Sequence, residues 1–348
     1  MKIRGIGRVK LWARRCVAPF TSQVVILLYH RVFDAPSDPQ LLCVHPDRFN
    51  QHLELIRRNY ALLSLGGLVQ ALKEQRLPKR AVVVTFDDGY ADNLQNALPL
   101  LRRHGIPATF FVAGLNIGNG CEFWWDELER LLLLPGHLPA QIRLSIAGKE
   151  YSWDLGKAGE YSAADFSQYC HWNVLDKHDP TARQSLYRSL CDLLCHLADQ
   201  EREPVLQELR RLAGQSRQGR PTHRSLSSSE ILQLSSGGLA EVGAHTMTHP
   251  SLSALPVAAQ AEEIRKNKQQ LEEILGARLK GFSYPFGTLS DYTGETIRVV
   301  QECGFAYAVA NYRSTTRKSA DLFQLPRFTV RDWDGDIFIH YLNAWFRQ

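Results

Sequence analysis

Two stretches of the chain hold the residues best suited to chemistry. In Val82-Val83-Val84-Thr85-Phe86-Asp87-Asp88-Gly89-Tyr90 a run of apolar, β-branched residues stops at two adjacent carboxylates and a glycine. In Leu239-Ala240-Glu241-Val242-Gly243-Ala244-His245 a short strand pattern stops at a histidine, and His249 follows four residues later. Buried parallel strands read as such runs, and the C-terminal ends of barrel strands are where active sites are built. Two ionised carboxylates held close repel each other, and a divalent cation is the simplest way to offset them. A His-x-x-x-His spacing brings two imidazoles within reach of one ion, and Gly243 and Pro250 suit a tight turn around the pair. Two neutral imidazoles and one carboxylate, Asp88 or Asp87, suit zinc or another first-row metal such as cobalt or nickel. They leave positions open for water and substrate. The remaining carboxylate can then take a proton from water as general base. A plain Asp-Asp-Gly turn is the bland alternative for the first stretch. The histidine pair argues against it.

A third strand pattern, Val24-Val25-Ile26-Leu27-Leu28-Tyr29-His30, delivers His30 and Arg31 to the same kind of position. A hydrogen-bonded core histidine is the competing account of His30. Around these three runs the chain alternates strand and helix patterns. Pro46–Arg57 reads as a helix, Leu68–Lys73 as a second, Asn93–Leu101 as a third that closes at His104-Gly105, and Ile106–Val112 as the next strand. Ser227-Ser228-Ser229-Glu230 is a helix cap, and Pro256–Leu275 a charged amphipathic helix ended by Gly276. Strands are predicted at Lys280–Gly287, Phe305–Ala310 and Leu325–Val330, with a closing helix over Ile337–Phe346. This order predicts an α/β fold, either an irregular (β/α) barrel or an open doubly wound sheet. Residues 114–229 break the rhythm and read as a largely helical insertion that shapes the substrate entrance. The predicted domains are a basic segment over 1–22 and one barrel domain over 23–348, its core motifs starting at residue 80.

Composition bounds the rest. With 348 residues, 44% hydrophobic and 22% charged, the chain can bury a large core, and its net charge of +5 does not by itself argue for nucleic acid. The seven cysteines form no CxxC pair and are read as free thiols of a reducing cytosol. No stretch is apolar and long enough to span a membrane, and the N-terminus lacks the pattern of a secretory signal. Lys2, Arg4, Arg8, Lys10, Arg14 and Arg15 precede the first acidic residue, Asp34. They fit either a solvated terminus or a helix lying on anionic lipid. The expected location is cytoplasmic, with the membrane surface as a possible contact.

The motifs resemble those of the polysaccharide deacetylase family, also described as the NodB-homology domain or carbohydrate esterase family four. Thr85-Phe86-Asp87-Asp88-Gly89-Tyr90 matches its first motif and His245-Thr246-Met247-Thr248-His249 its second. Leu28-Tyr29-His30-Arg31-Val32 and Ile106-Pro107-Ala108-Thr109-Phe110-Phe111-Val112 are also typical. The resemblance implies a distorted (β/α) barrel of seven strands that removes an acetyl group from a sugar. It implies Asp87 as general base, and Asp88, His245 and His249 as metal ligands. Two positions depart from the pattern. Tyr284-Pro285-Phe286-Gly287 stands where the family usually has an arginine before proline. Leu325-Pro326-Arg327 stands where a Leu-x-His strand usually supplies the general acid. His340 imitates that motif but falls in a predicted helix. His30 is therefore the candidate acid, Tyr284 and Pro285 are candidate substrate contacts, and Arg327 is expected to bind substrate or to orient Asp87. The expected partner is an acetylated sugar or glycan, such as a nucleotide- or lipid-linked precursor. A carbohydrate-binding relative without turnover, or a hydrolase of a non-sugar amide, are the alternatives.

Overall fold

The structure, a computed structural model, describes residues 22–347. The basic N-terminal segment expected over 1–22 lies, but for residue 22, outside the described residues. Eight strands form one parallel sheet: β1 (Val24–Tyr29), β2 (Ala61–Leu62), β3 (Ala81–Phe86), β4 (Ala108–Val112), β5 (Ala240–Ala244), β6 (Gly281–Ser283), β7 (Tyr307–Val309) and β8 (Phe328–Thr329). Their order is β7-β6-β5-β4-β3-β1-β8, with β2 paired on β3. The two ends of this path are joined by Leu325. It bridges Val309 in parallel, accepts from Ala310 N at 2.9 Å and donates to Ala308 O at 3.0 Å. The sheet thereby curls into a distorted barrel, and the alternative of an open doubly wound sheet is set aside.

Every residue of β1, β3 and β4 is buried, which explains why these strands read as unbroken apolar runs. Their side chains still alternate. Val25, Leu27 and Tyr29 pack into the larger core cluster, while Val24 and Ile26 pack into a smaller one with Leu65, Leu68 and Leu72. Register places the strand ends. Tyr29 pairs with Phe86, Phe86 with Phe110, Val112 with Ala244, and Ala244 with Phe282. His30, Asp87, His245 and Ser283 therefore emerge at one rim.

Helices surround the barrel at Pro46–Asn59, Leu65–Lys73, Leu98–His104, Ser228–Ser235, Val257–Leu275, Gly294–Glu302 and Gly335–Trp345. Ser227 and Glu230 form the expected capping box, and Gly276 ends its helix at φ 63°. Within residues 114–229 the helices Trp124–Leu132, Ala163–Tyr169, Ala182–Leu194 and Asp199–Ala213 accompany an antiparallel hairpin, Gln141–Ile146 with Lys149–Asp154. This region has its own apolar core, including Leu128, Leu132, Leu186, Leu190 and Leu209, and it meets the barrel through Tyr90 and Ala113. The six cysteines among the described residues are free thiols. No helix of the described residues is long and apolar enough to cross a membrane.

Candidate active site

Asp87 and Asp88 follow β3 directly and are both buried. The turn they enter is tight: Asp88 has φ 73° and Gly89 φ 81°. A side chain on Gly89 would place its Cβ 2.7 Å from Val112 Cγ1, so glycine is required there. His245 and His249 follow β5 in a loop rather than a helix, with left-handed backbone at Thr246 and His249. Thr246 Oγ1 accepts from His249 N at 3.1 Å and closes the loop. Non-glycine residues rarely adopt positive φ, and its concentration here fits a site held against local strain.

The two carboxylates meet different partners. Asp87 receives a two-pronged ion pair from Arg327, Nη1 to Oδ1 and Nη2 to Oδ2, each at 2.7 Å. Ser283 Oγ adds a third bond at 3.0 Å. Burial alone would raise this carboxyl, but the Arg327 charge, with His245 beyond it, holds it well below the usual carboxylate range. Asp88 has no arginine or lysine partner among the described residues. Its Oδ1 is buried without a hydrogen-bond partner among the described residues, 3.5 Å from His245 Nε2 and 3.4 Å from His249 Nε2. Those separations are long for hydrogen bonds. They match ligand atoms set around one tetrahedral ion at bond lengths of about 2.0–2.2 Å, which stand roughly 3.4 Å apart. An orphaned oxygen between two imidazole nitrogens fits a cation, and Asp88, His245 and His249 would hold it.

The imidazoles are oriented accordingly. His245 Nδ1 lies 2.8 Å from Ser283 O, which fixes the Nδ1–H tautomer and frees Nε2 as a ligand. Its backbone N–H is held by Asn267 Oδ1 at 2.8 Å. Burial pulls the His245 pKa down, but Asp87 and Asp88 outweigh it and the net shift is upward. Burial pushes His249 down to about 3, so it is neutral, the form in which imidazole binds metal. The ring of His249 is flanked edge-on by Trp125 and Phe286, each with centroids 4.8 Å away. Trp125 is itself held by its Nε1–H to Tyr90 Oη at 2.9 Å, and Tyr90 donates to Asp126 at 2.7 Å.

These groups open onto a cavity of about 500 Å³. The barrel supplies His30, Phe286, Thr288, Asn311, Thr329 and Arg331 to its wall, and residues 114–229 supply Trp124, Trp125, Val174, Arg188, Cys191 and Cys195. His30 thus stands at the cavity beside Asp87 and Asp88, and burial lowers its pKa against the pull of both carboxylates.

Two expected substrate contacts are corrected, and the bonds of Arg327 bear on the choice between binding substrate and orienting Asp87. Tyr284 is buried, stacks on Tyr292 with centroids 4.2 Å apart, and donates to Phe323 O at 3.0 Å. It is a core residue because the strand's alternation turns Ser283, not Tyr284, toward the site. Pro285 is likewise buried and off the cavity wall, where Phe286 stands instead. Arg327 is fully enclosed, and its bonds to Ala310 O, Thr85 Oγ1, Ser283 Oγ and both Asp87 oxygens match its five N–H groups. These bonds tie it to Asp87 and its surroundings and leave no donor for a substrate. His340 lies in the closing helix beside Tyr341, away from the cavity. Ser283, Trp125, Asn267 and Phe286 were not singled out in the sequence. Ser283 sat beside Tyr284 on the opposite strand parity, and Phe286 follows Pro285 in the turn after the strand, at φ 56°.

A parallel barrel with carboxylates and imidazoles gathered at one rim defines a class of barrel hydrolases. The profile of the polysaccharide deacetylase family matches residues 74–137 and 213–308. The chain is 34% identical over 112 residues to the putative polysaccharide deacetylase YxkH of Bacillus subtilis, covering 32% of this chain and 39% of that one. It is 29% identical over 92 residues to the poly-beta-1,6-N-acetyl-D-glucosamine N-deacetylase of Escherichia coli strain K12, covering 26% of this chain and 14% of that one. These stretches span well under half the length of the relatives. Among solved structures, the Streptococcus pyogenes deacetylase PplD in complex with acetate shares the fold at TM-score 0.55 and 16% identity over 92% of this chain and 98% of that one. IcaB from Ammonifex degensii does so at 0.56 and 18% over 94% and 98%. Residues 74–137 and 213–308 thus carry the sequence pattern of the polysaccharide deacetylase family, and the chain shares the fold of these deacetylases.

Proposed function

We propose that this protein is a metal-dependent deacetylase that hydrolyses the N-acetyl group of a sugar in a glycan or glycan precursor, releasing acetate and a free amine. The observation that carries the reading is the orphaned, buried Asp88 Oδ1 facing two imidazole nitrogens beside a separately neutralised Asp87. The names of the curated relatives agree with it. A divalent cation held by Asp88, His245 and His249, zinc by the nature of the donors, would polarise the acyl oxygen and supply a water of lowered pKa.

The chain's own groups then divide the proton work. Asp87, kept ionised by Arg327, accepts the water proton as its oxygen attacks the acyl carbon. Ser283 and Arg327 fix which way that carboxylate points. His30, beside Asp87 on the cavity wall, passes the proton taken up by Asp87 on to the amine nitrogen as the carbon–nitrogen bond breaks. It takes the acid role because Arg327 occupies the position of the family's usual histidine and is consumed by Asp87. The apolar wall of Trp124, Trp125 and Phe286 gives the acetyl methyl and sugar face a dry surface.

The test is acetate release from a panel of acetylated glycans and lipid-linked precursors, with metal content measured alongside. Asp88→Asn and His245→Ala are expected to lose both bound metal and turnover. His30→Gln is expected to keep the metal and lose about 10²- to 10⁴-fold in rate. Full acetate release by both ligand variants sinks the proposal. A well-folded wild-type protein that binds no metal would instead favour a carbohydrate-binding role.

A further inference from the structure

The cavity contains a cation that the deacetylation chemistry does not use. Arg331 lies on its wall two residues after Thr329, which also lines it, so both project from the same face of the chain. The pairing of Leu28 with Thr329 continues through Val330 N to Leu28 O at 2.9 Å, which sets Arg331 level with His30 on the adjoining strand. Its Nη1 donates to the backbone oxygens of Leu41 and Gln40. Nε and Nη2 have no acceptor among the described residues, and neither is sealed from the cavity. No carboxylate lies within ion-pairing distance of it among the described residues. Asp38, its nearest acidic influence, is occupied by the amides of Leu42 and Cys43 at 2.9 and 2.8 Å.

The other cavity cations are spoken for. Arg327 is spent on Asp87. Arg188 donates through Nε and Nη2 to Asp179, through Nη1 to Val174 O and through Nη2 to Asp176 O. Asp192 is the one further carboxylate on the wall, and it is exposed at the rim. A half-buried guanidinium pinned on one side by carbonyls, with its other donors open, is a preformed receptor for an oxyanion. The neighbouring Thr288, Asn311 and Thr329 form a polar strip beside it, with Thr329 Oγ1 bonded to Asn311 Oδ1 at 2.9 Å.

Resting on the deacetylase reading, we infer that the substrate is an acetylated sugar bearing an oxyanion, and that Arg331 receives it. A cavity of about 500 Å³ is in the range of small-molecule sites and accommodates one such sugar with its substituent. The oxyanion could be a phosphate on the anomeric carbon, as in a nucleotide- or lipid-linked sugar, or a sugar carboxylate. The shared chemistry is the same two-oxygen acceptor.

The experiment compares kcat/KM of the metal-loaded enzyme for three probes: the methyl glycoside of N-acetylglucosamine, N-acetylglucosamine 1-phosphate and a 2-acetamido uronic acid. One anionic probe is expected to exceed the neutral glycoside by about ten- to a hundredfold, as charge-assisted hydrogen bonds warrant, and which one identifies the source. In Arg331→Gln that ratio is expected to fall toward one, and in Arg331→Lys to recover in part. Equal kcat/KM for all three probes in the wild type overturns the inference while leaving the deacetylase reading intact. So does a ratio that survives Arg331→Gln, since a phosphate held by the metal alone behaves that way. If no probe is hydrolysed, the deacetylase reading suffers, and calorimetric binding of the same probes decides the oxyanion preference on its own. Preference lost in Arg331→Gln supports it, and no preference overturns it.

Discussion

Asp87 and Asp88 are neighbours in the chain and differ in chemistry because each meets a different counter-charge. Asp87 has Arg327, which arrives just before β8, two strands over and 240 positions along the sequence, while Asp88 faces only imidazole nitrogens. Arg327→Met is therefore expected to leave Asp87 as an unpaired buried charge. The loss of stability is about 3–5 kcal/mol, read by denaturant unfolding. The pH dependence has a definite sign. A carboxylate whose folded pKa is depressed contributes stability above its unfolded pKa of about 3.9, and that contribution is lost only as pH falls through the lower folded value. In wild type it is fully present at neutral pH. In Arg327→Met the largest opposition to burial is gone, so the acid limb of kcat/KM is expected to move to higher pH while metal content stays unchanged. An unmoved limb would show that Arg327 does not control the base. The Asp-Asp and His-x-x-x-His residues were legible because types and spacing alone mark them. The Arg327 role stayed between two alternatives, binding substrate or orienting Asp87, since nothing local ties Leu325-Pro326-Arg327 to Asp87. Only closure of the barrel at Leu325 brings them together.

The elements explain how those residues are held. The helix Trp124–Leu132 presents Trp125 to the His249 ring and Asp126 to Tyr90, so one helix outside the barrel touches both the second motif and the residue after Gly89. Trp125→Phe keeps a ring against His249 and removes the bond to Tyr90, with an expected cost of about 1 kcal/mol. Trp125→Ala removes the support itself and is expected to weaken metal affinity about 10- to 100-fold, measured by competition with a chelating dye. Equal affinity in the two variants would assign Trp125 to packing alone. Gly89→Ala tests the turn: a Cβ 2.7 Å from Val112 Cγ1 at φ 81° is expected to destabilise by more than about 2 kcal/mol. The long strands were readable because β1, β3 and β4 are buried on both faces. The hairpin Gln141–Ile146 was passed over although Ile142, Leu144 and Ile146 alternate with polar residues and are the buried ones. Its partner Lys149–Asp154 is exposed or half-buried throughout and carries no such signal.

At the scale of the molecule, the family profile stops at residue 137 and resumes at 213, while the cavity takes one wall from residues 174–195 that the profile leaves unmatched. Part of the enclosure thus comes from outside the matched segments, as do His30, Arg327 and Arg331. The proposed metal site adjoins both the barrel and residues 114–229: His249 touches Phe286 of the first and Trp125 of the second. Occupancy of that site should therefore stabilise the whole fold rather than one loop. A cation that binds only the folded chain adds about 4 kcal/mol when its free concentration is a thousandfold above its dissociation constant. For a chain of 348 residues this is an expected rise in unfolding temperature on the order of 5 °C. Chelation should lower the unfolding temperature by that amount, and added zinc should restore it. Asp88→Asn should show neither response, because its remaining donors are two imidazoles that no longer face a charged ligand. A chelator shift that persists in Asp88→Asn would place the stabilising ion elsewhere, and the buried group Asp126, Glu129 and His223 would be the next site to mutate.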